Sequence, residues 1–346
     1  MAQTKNLITP YPTIAPLIIS ICVLIIGCTN VSQNQTISND KSCRLVKHQM
    51  GETEVCGTPE KVVALSPHIL DSILALGVQP IAYAETINLN IQVYDNPAQQ
   101  IPYIGKWITT KPVALGDRKS PSLERLTMLK PDLIIGEDWL HEDEYSLLSQ
   151  IAPTLLFTDQ PPTPTTEEQS WQYDIKGIAK ALGKETEVDK LVKDFEKKIE
   201  ITRQILQPVV EKYPRVFLMS TNVATNFYAQ PDSTTAKLLE KIGFQIVKLS
   251  SIVERGNISQ EVLPQIEADI IIVLSWNEDD FYNPESILRE KWASNPLLNT
   301  MTVFQEGRVF FVDYQLWGSN IRGPLTDLLI LEKLPDLLLT TVKKIS

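Results

Sequence analysis

The apolar positions of the chain form short continuous runs that alternate with longer stripes at helical spacing. KVVALS at 61–66 and RVFLMS at 215–220 are apolar runs of the kind that form buried strands. The first run is followed by the helical pattern ILDSILALG, and the second, after a longer loop, by TAKLLEKIG. This alternation predicts an α/β fold with central, mostly parallel sheets.

One pattern occurs twice along the chain. RKSPSLERLTMLKPDLIIG begins at Arg118 and RGNISQEVLPQIEADIIIV begins at Arg255, so the copies align without a gap at an offset of 137 residues (255 − 118 = 137). In each copy a serine is placed to cap a helix, and a glutamate follows in the first turn, where the helix dipole favours a negative charge. The repeat predicts two similar lobes.

A long helix is predicted between the two halves. Residues 171–207 carry apolar side chains at helical spacing, and no proline interrupts them before Pro208. Gly183 predicts a kink, since glycine costs about 1 kcal/mol relative to alanine in a helix. A coiled-coil dimer arm is the alternative, but the apolar stripe is short and irregular. The predicted parts are an N-terminal lobe at 43–166, a connecting helix at 167–207 and a C-terminal lobe at 208–346.

The first residues have the pattern of a secretory signal. Lys5 is the one charged side chain before the apolar stretch Leu17–Ile26, which is too short for a membrane span of about 20 apolar residues. The ending IIGC resembles the bacterial lipobox, in which the cysteine is lipidated and becomes the mature N-terminus. We therefore expect a signal peptide at 1–27, lipidation of Cys28 and a flexible polar tether at 28–42.

Secretion changes the expected state of the remaining cysteines. Cys22 is removed with the signal, and Cys43 and Cys56 flank a short predicted hairpin. In an oxidising compartment two cysteines so close together are expected to form a disulfide, and two free thiols are the alternative.

The formal net charge of −10 argues against binding to nucleic acid, which needs a basic surface. An enzyme is also disfavoured. Ser66 and Ser220 end strands without a G-x-S-x-G turn, and the chain has no glycine-rich phosphate loop or paired catalytic carboxylates. Asp132 and Asp269 begin the repeated strands, where we expect them to bond backbone groups. A secreted hydrolase is the remote alternative.

The chain resembles the substrate-binding lipoproteins of bacterial ABC importers for iron-siderophores and cobalamin. The resemblance rests on KVVALSPHILDSILALGVQPIAYA, SLERLTMLKPDLIIG, ISQEVLPQIEADIIIVLSW and WGSNIRGPLTDLLILEKLP, in this order. It implies two lobes joined by one rigid α-helix, a shallow cleft that closes only slightly, and a monomer that is anchored by its lipid outside the cytoplasm. It also implies delivery to a permease with its ATPase, and no cofactor apart from the ligand. The motif WGSNIRGP looks most like the ferric-siderophore branch, and cobalamin and haem are the alternative ligands.

The predicted ligand site lies at the carboxyl ends of the strands, where open α/β sheets bind ligands. Arg118 and Arg255 open the repeated helices, and Arg322 follows the strand RVFFVDY, so all three are expected at this edge. Arginine offers forked donors to the carboxylate or phenolate oxygens of anionic ferric complexes. The other predicted ligand residues are aromatic or polar and occur near strand ends: Trp107, Trp139, Trp276, Trp317, Asn320, His68, Tyr228 and Tyr314.

Four of these residues also have a structural alternative. Trp317 can cap a core at a turn, His68 can cap the helix that follows it, and the two tyrosines can be ordinary half-buried side chains. A tight zinc site is disfavoured because His48, His68 and His141 lack ligand spacing.

Two acidic segments follow the repeated strands, HEDEYS at 141–146 and NEDDFYNPES at 277–286. Solvated surface is the ordinary interpretation. The resemblance implies instead that one acid in each lobe docks the permease, and the candidates are Glu142, Asp143, Glu144, Asp280 and Glu285.

Overall fold

The computed structural model describes residues 42–85, 95–158, 170–222, 226–249, 257–276, 284–318 and 323–343. In the N-terminal lobe the strands are β1 Cys43–His48, β2 Gly51–Cys56, β3 Val62–Ala64, β4 Ala82–Glu85, β5 Val113–Asp117, β6 Leu133–Glu137 and β7 Thr154–Phe157. Its helices are α1 Pro67–Ala75, α2 Pro97–Gln100, α3 Leu123–Leu129, α4 Asp138–His141 and α5 Tyr145–Ile151, with a 3-10 turn at Gly105–Trp107.

Two consecutive helices, α6 Ser170–Leu182 and α7 Glu185–Lys212, lead to the C-terminal lobe. Its strands are β8 Arg215–Asn222, β9 Asn226–Ala229, β10 Gln245–Ile246, β11 Asn257–Ile258, β12 Ile270–Trp276 and β13 Val309–Asp313. Its helices are α8 Thr234–Ile242, α9 Pro284–Ser294, α10 Pro296–Asn299, α11 Thr302–Gln305, α12 Tyr314–Trp317, α13 Pro324–Leu338 and α14 Thr340–Lys343, with a 3-10 helix at Gln260–Gln265.

Each lobe is built on a central sheet. The N-terminal sheet has the order β5-β4-β3-β6-β7, and all its strands are parallel. The C-terminal sheet has the order β11-β9-β8-β12-β13, with β10 beside β8, and among the described strands only the two pairings of β9, with β8 and with β11, are antiparallel. The predicted α/β fold with mostly parallel sheets is confirmed, and the repeated strands β6 and β12 lie inside their sheets.

The repeat-related aspartates make equivalent structural contacts in the two lobes. Asp132 accepts hydrogen bonds from the amides of Glu60 at 2.8 Å and Lys61 at 2.9 Å, just before β3. Asp269 accepts one from the amide of Arg215 at 2.9 Å, where β8 begins, and also binds that guanidinium. Each carboxylate therefore ties the start of its own strand to the start of the neighbouring one, as expected for a structural role.

The helices of the two repeats differ. In the first copy Ser122 accepts a hydrogen bond from the amide of Arg125 and caps α3, as predicted. In the second copy the predicted α-helix is instead a 3-10 helix, and Ser259 makes no side-chain cap. The cause is Pro264 inside this segment, because proline lacks the amide hydrogen that an α-helical turn needs.

The connection between the lobes is broken at Gly183, where a kink is predicted. Gly183 has a φ of 66°, a left-handed conformation that glycine adopts without strain, and it separates α6 from α7. α7 has 28 residues and continues through Pro208, beyond the predicted helix end at 207. One continuous apolar core runs from the N-terminal sheet across these two helices to the C-terminal sheet and α13, which supports a rigid pairing of the lobes.

The first two strands form an antiparallel hairpin in which Cys43 pairs with Cys56, and the two side chains are joined in a disulfide. The hairpin is attached to α6, since the Arg44 guanidinium donates to the carbonyl oxygen of Ala181 at 2.8 Å. Among the described residues, no helix combines the length and the apolar character that crossing a membrane requires.

Candidate functional site

Arg118 lies directly after β5, at the carboxyl edge of the N-terminal sheet, and only 6% of it is exposed. Its amide donates to the carbonyl oxygen of Glu85, the last residue of β4, at 2.8 Å. Its guanidinium carbon lies 5.4 Å from the ring centroid of Trp139, within cation–π range. The structure therefore brings together two of the predicted ligand residues at the predicted edge.

Trp139 belongs to α4, the short helix that follows β6, and its side chain is 51% exposed. Its indole nitrogen donates to Oε1 of Glu137 at 3.3 Å, so the ring is held from below by a buried carboxylate. An exposed aromatic face beside a cation is a surface on which a planar or partly apolar ligand can lie.

His141 supports this corner from the inside. Its Nε2 lies 2.9 Å from the carbonyl oxygen of Arg118, and its Nδ1 lies 3.0 Å from the carbonyl oxygen and 3.2 Å from the amide nitrogen of Glu137. Burial lowers the pKa of His141, while its contacts with the carbonyl oxygens of Arg118 and Glu137 oppose this effect. The end of β6 and the backbone of Arg118 are therefore locked together.

In the C-terminal lobe, Tyr228 of β9 pairs with Ser220 of β8 and is half-buried. The Ser220 hydroxyl accepts a hydrogen bond from the side-chain amide of Gln230 at 2.9 Å. This side of the second sheet thus carries neutral donors and acceptors near the point where β8 ends.

The corner that follows β13 carries one buried and one half-buried aromatic side chain. Trp317 is 5% exposed and belongs to the continuous core, and its carbonyl oxygen accepts from the Thr235 hydroxyl at 2.6 Å. This placement agrees with the structural alternative for Trp317, a core cap at a turn, rather than with a side chain that faces solvent. Tyr314, the first residue of α12, stays half-buried.

A cavity of about 500 Å³ lies between the lobes beside this corner. Its lining includes Tyr103 from the N-terminal lobe, and Asp313, Trp317 and Lys333 from the C-terminal lobe. Burial raises the pKa of Asp313, whose carboxylate also caps α12 by accepting from the amide of Gln315 at 2.9 Å. Trp317 therefore lines this inter-lobe cavity although it is buried.

Two predicted ligand residues lie elsewhere. His68 is fully buried inside α1, and its Nε2 lies 3.0 Å from Oδ2 of Asp174, so the structure gives it an internal partner instead of a ligand-facing position. The cap of α1 is Ser66, not His68. Trp107 packs against the core, and its carbonyl oxygen accepts from Gln79, which precedes β4. Trp107 thus lies near the amino ends of the strands, opposite the predicted ligand edge.

Several predicted residues lie outside the described part of the chain. They are Cys28, Arg255, Asp280, Asn320 and Arg322, and for Trp276 and Glu285 the description covers the backbone only. Of the remaining docking candidates, Glu142 and Asp143 are exposed and Glu144 is half-buried, all in the turn between α4 and α5.

Sequence reasoning overlooked the carboxylates of the ligand edge. Glu85 ends β4 and Glu137 ends β6, and they are 2% and 0% exposed. The signal was present in AYAE and LIIGE, where an acid closes an apolar run at the carboxyl end of a strand. The backbone carbonyl of Glu85 bonds the amide of Arg118, and the carboxylate of Glu137 bonds the indole of Trp139.

A metal site has little support among the described residues. The one group of potential ligands with sufficiently close atoms is Cys43, Glu54 and Cys56. Its two sulfurs are joined in the disulfide and so are not thiolates, the form that binds metal. The geometry around Arg118 provides a cation, an aromatic face and fixed backbone, which suits binding of an anionic ligand.

A family model of periplasmic binding proteins matches residues 62–316. The Fe(3+)-citrate-binding protein YfmC of Bacillus subtilis (strain 168) is 28% identical over 307 residues, which cover 87% of this chain and 89% of that protein. The Fe(3+) dicitrate-binding periplasmic protein FecB of Escherichia coli (strain K12) is 28% identical over 285 residues, which cover 80% and 84%. The crystal structure of Staphylococcus aureus SirA complexed with staphyloferrin B matches with a TM-score of 0.64 at 23% identity, over 85% of this chain and 98% of that one, and so shares the fold. The chain belongs to the periplasmic binding protein family.

Proposed function

We propose that this protein binds an iron(III)-siderophore complex in the cleft between its lobes and delivers it to the permease of an ABC importer. The observation that carries the proposal is the Arg118–Trp139 pair at the carboxyl edge of the N-terminal sheet. A guanidinium that is largely withdrawn from water attracts an anion more strongly than an exposed one, because the interaction is screened less.

The chemistry of the ligand fits this pair. Ferric complexes of citrate or catecholates are anions with carboxylate or phenolate oxygens, and arginine binds such oxygens through parallel donors. Two relatives are named for ferric citrate complexes, which makes a carboxylate siderophore the first ligand to test. Iron enters as cargo inside its complex, so the protein needs no metal ligands of its own.

Delivery requires a surface that the permease recognises. We assign this role to the acidic turn between α4 and α5, where Glu142 and Asp143 are exposed, together with an acidic segment of the C-terminal lobe that contains Asp280 and Glu285. We further propose that residues 28–42 form a tether and that a lipid on Cys28 holds the protein at the outer face of the cell membrane. Membrane fractionation of Cys28→Ser tests the anchor, and unchanged fractionation contradicts it.

The binding function is tested by titrating the purified protein with ferric citrate, a ferric hydroxamate and a ferric catecholate while its tryptophan fluorescence is followed. Quenching by one ferric complex is expected because Trp139 is exposed beside Arg118. Cobalamin and haem serve as controls. A response to either of them, with no response to any ferric complex, overturns the proposal.

A further inference from the structure

Three helices from different parts of the chain meet around a buried set of acids. α1 belongs to the N-terminal lobe, α6 to the connection and α13 to the C-terminal lobe. Each contributes one aspartate, namely Asp71, Asp174 and Asp327, and these are 0%, 4% and 0% exposed. Buried acids are uncommon and need partners, so their arrangement requires an explanation.

Asp71 of α1 binds the beginning of α13. Its carboxylate accepts hydrogen bonds from the amides of Leu325 at 2.8 Å and Thr326 at 2.9 Å, and from the Thr326 hydroxyl at 2.5 Å. Three donors at the positive end of a helix are the environment that stabilises an ionised carboxylate. Gly323 makes room for it, because a Cβ at that position would overlap the Asp71 carboxyl group.

Asp327 of α13 accepts fewer hydrogen bonds than Asp71 does. Its Oδ2 accepts from the indole nitrogen of Trp171 in α6 at 2.8 Å. Within the described part of the chain, its Oδ1 is buried and makes no hydrogen bond. A negative charge there would lie near the Asp71 carboxylate in a fully buried site, which costs far more than burying a neutral acid.

Asp174 completes the set by joining α6 to α1. Its Oδ2 lies 3.0 Å from Nε2 of His68, and both side chains are buried. Each of the three helix pairs is thus connected through one carboxylate: α1 with α13, α13 with α6, and α6 with α1.

We propose that Asp71, Asp174 and Asp327 form a clasp that fixes the two lobes in one relative position, with Asp71 ionised and Asp327 protonated at neutral pH. In this clasp the acids are positioning residues, because they orient helices and do not face the cleft. The proposal is independent of the identity of the ligand. It explains why a glycine stands at 323 and why a tryptophan is buried at 171.

Titratable groups of α1, α6 and α8 surround the clasp, and the cations among them oppose the effect of burial on Asp327. Burial is the largest influence on both acids, while His68 of α1, which contacts Asp174 of α6, lowers the pKa of Asp71 and of Asp327, and Lys241 of α8 lowers that of Asp327. Lys241 is itself paired with Glu196 at 3.8 Å. From α7, the group that bonds α13 is the uncharged hydroxyl of Thr202.

The two acids differ in how far their pKa values rise. Burial raises the pKa of Asp71 to about 6, while hydrogen bonds from Thr326 and Leu325 oppose the rise. Burial raises the pKa of Asp327 well above its ordinary value, and the Asp71 charge adds to the rise. Acids with a raised folded-state pKa contribute stability that is complete below their unfolded pKa of 3.8 and is lost as the pH increases through the folded value.

Asp327→Asn is the decisive variant, since asparagine has the shape of the neutral acid and cannot ionise. If Asp327 is protonated, unfolding at neutral pH releases its proton, which makes the unfolding constant rise about tenfold per pH unit. We expect Asp327→Asn to fold with near wild-type stability at pH 7 and to lose this tenfold dependence in denaturant titrations between pH 6 and 8. An unchanged pH dependence, or a variant that fails to fold, overturns the proposal.

Infrared spectroscopy gives a second readout that a purely structural role would not change. The native protein at pH 7 should show the carbonyl band of a protonated carboxylic acid, and Asp327→Asn should lack it. If the native protein lacks this band, the assignment of a proton to Asp327 is wrong.

Asp71→Asn is the matched variant, with the same chemical change and the opposite expectation. Its amide NH₂ would face the donors of Leu325 or Thr326, so we expect the folding constant to fall at least tenfold. Spin labels at Met128 of α3 and Glu290 of α9, both exposed, should report a broader inter-lobe distance distribution in Asp71→Asn but not in Asp327→Asn. If Asp71→Asn is as stable and as narrowly distributed as the wild type, the clasp does not exist. If Asp71→Asn does not fold, this is the predicted loss of stability at its largest. The measurements on Asp327→Asn then test whether Asp327 is protonated.

Discussion

Replacing Arg118 with alanine removes the guanidinium at the edge of the N-terminal sheet and leaves the backbone that carries it. That backbone is held by the bonds of its amide to Glu85 and of its carbonyl to His141, neither of which needs the side chain. These two backbone bonds should therefore persist in the variant. What is lost is a charged donor group that is only 6% exposed.

The burial of the Arg118 guanidinium sets the size of the expected loss in ligand affinity. A hydrogen bond to a charged group contributes about 1.5–3 kcal/mol, so Arg118→Ala should weaken ligand binding by roughly tenfold to a hundredfold. The cation–π contact with the Trp139 ring, which is 51% exposed, stabilises the α4 corner by about 0.5–1 kcal/mol. Affinity should also fall with added salt, but less steeply than for an exposed charge.

Isothermal titration of the two purified proteins with the ferric complex that binds best measures this loss. Arg125→Ala is the control, because Arg125 is exposed on α3 and donates to the carbonyl oxygen of Ala114 at 2.8 Å. The control should bind like the wild type. If Arg118→Ala is folded and also binds like the wild type, Arg118 does not contact the ligand.

Three further outcomes follow from local contacts. Changing both cysteines of the β1–β2 disulfide to serine should destabilise the protein by about 3 kcal/mol, measured by denaturant titration, because a crosslink with a sequence separation of 13 is lost; no change would refute this. Gly323→Ala should cost about 1–3 kcal/mol, since its Cβ would overlap the Asp71 carboxyl group, and an unaltered melting temperature would contradict the packing. Reversing Glu142 and Asp143 to lysine should abolish uptake by cells while ligand affinity stays intact; exposed pairs contribute under about 1 kcal/mol each, so both are changed together, and normal uptake would exclude this turn as the docking surface.

Much of the fold was predictable because its determinants are local. The strand runs, the serine cap of α3 and the break at Gly183 depend on residues within a few positions of each other. The repeat added long-range information, since it placed β6 and β12 at equivalent positions inside their sheets. The 3-10 helix at Gln260–Gln265 could also have been foreseen, because its proline is visible in the sequence.

The buried polar contacts could not be foreseen in the same way. His68 and Asp174 are 106 positions apart, and Trp171 and Asp327 are 156 apart, so no periodic pattern links them. A histidine just after a strand looks the same in the sequence whether it faces a ligand or a buried aspartate. Trp107 was misplaced for a related reason, because its position before β5 puts it near the amino edge of the sheet while composition alone shows only a tryptophan in a loop.

The central claim is that one ferric siderophore complex binds each protein molecule. Native mass spectrometry of the purified protein, mixed with ferric citrate and then with ferric hydroxamate and catecholate complexes, tests it most directly. We predict a single mass increase equal to one intact ferric complex, saturable and absent with the iron-free siderophore of the same type. A folded protein that gains no mass from any ferric complex, or that takes up cobalamin or haem instead, would contradict the claim.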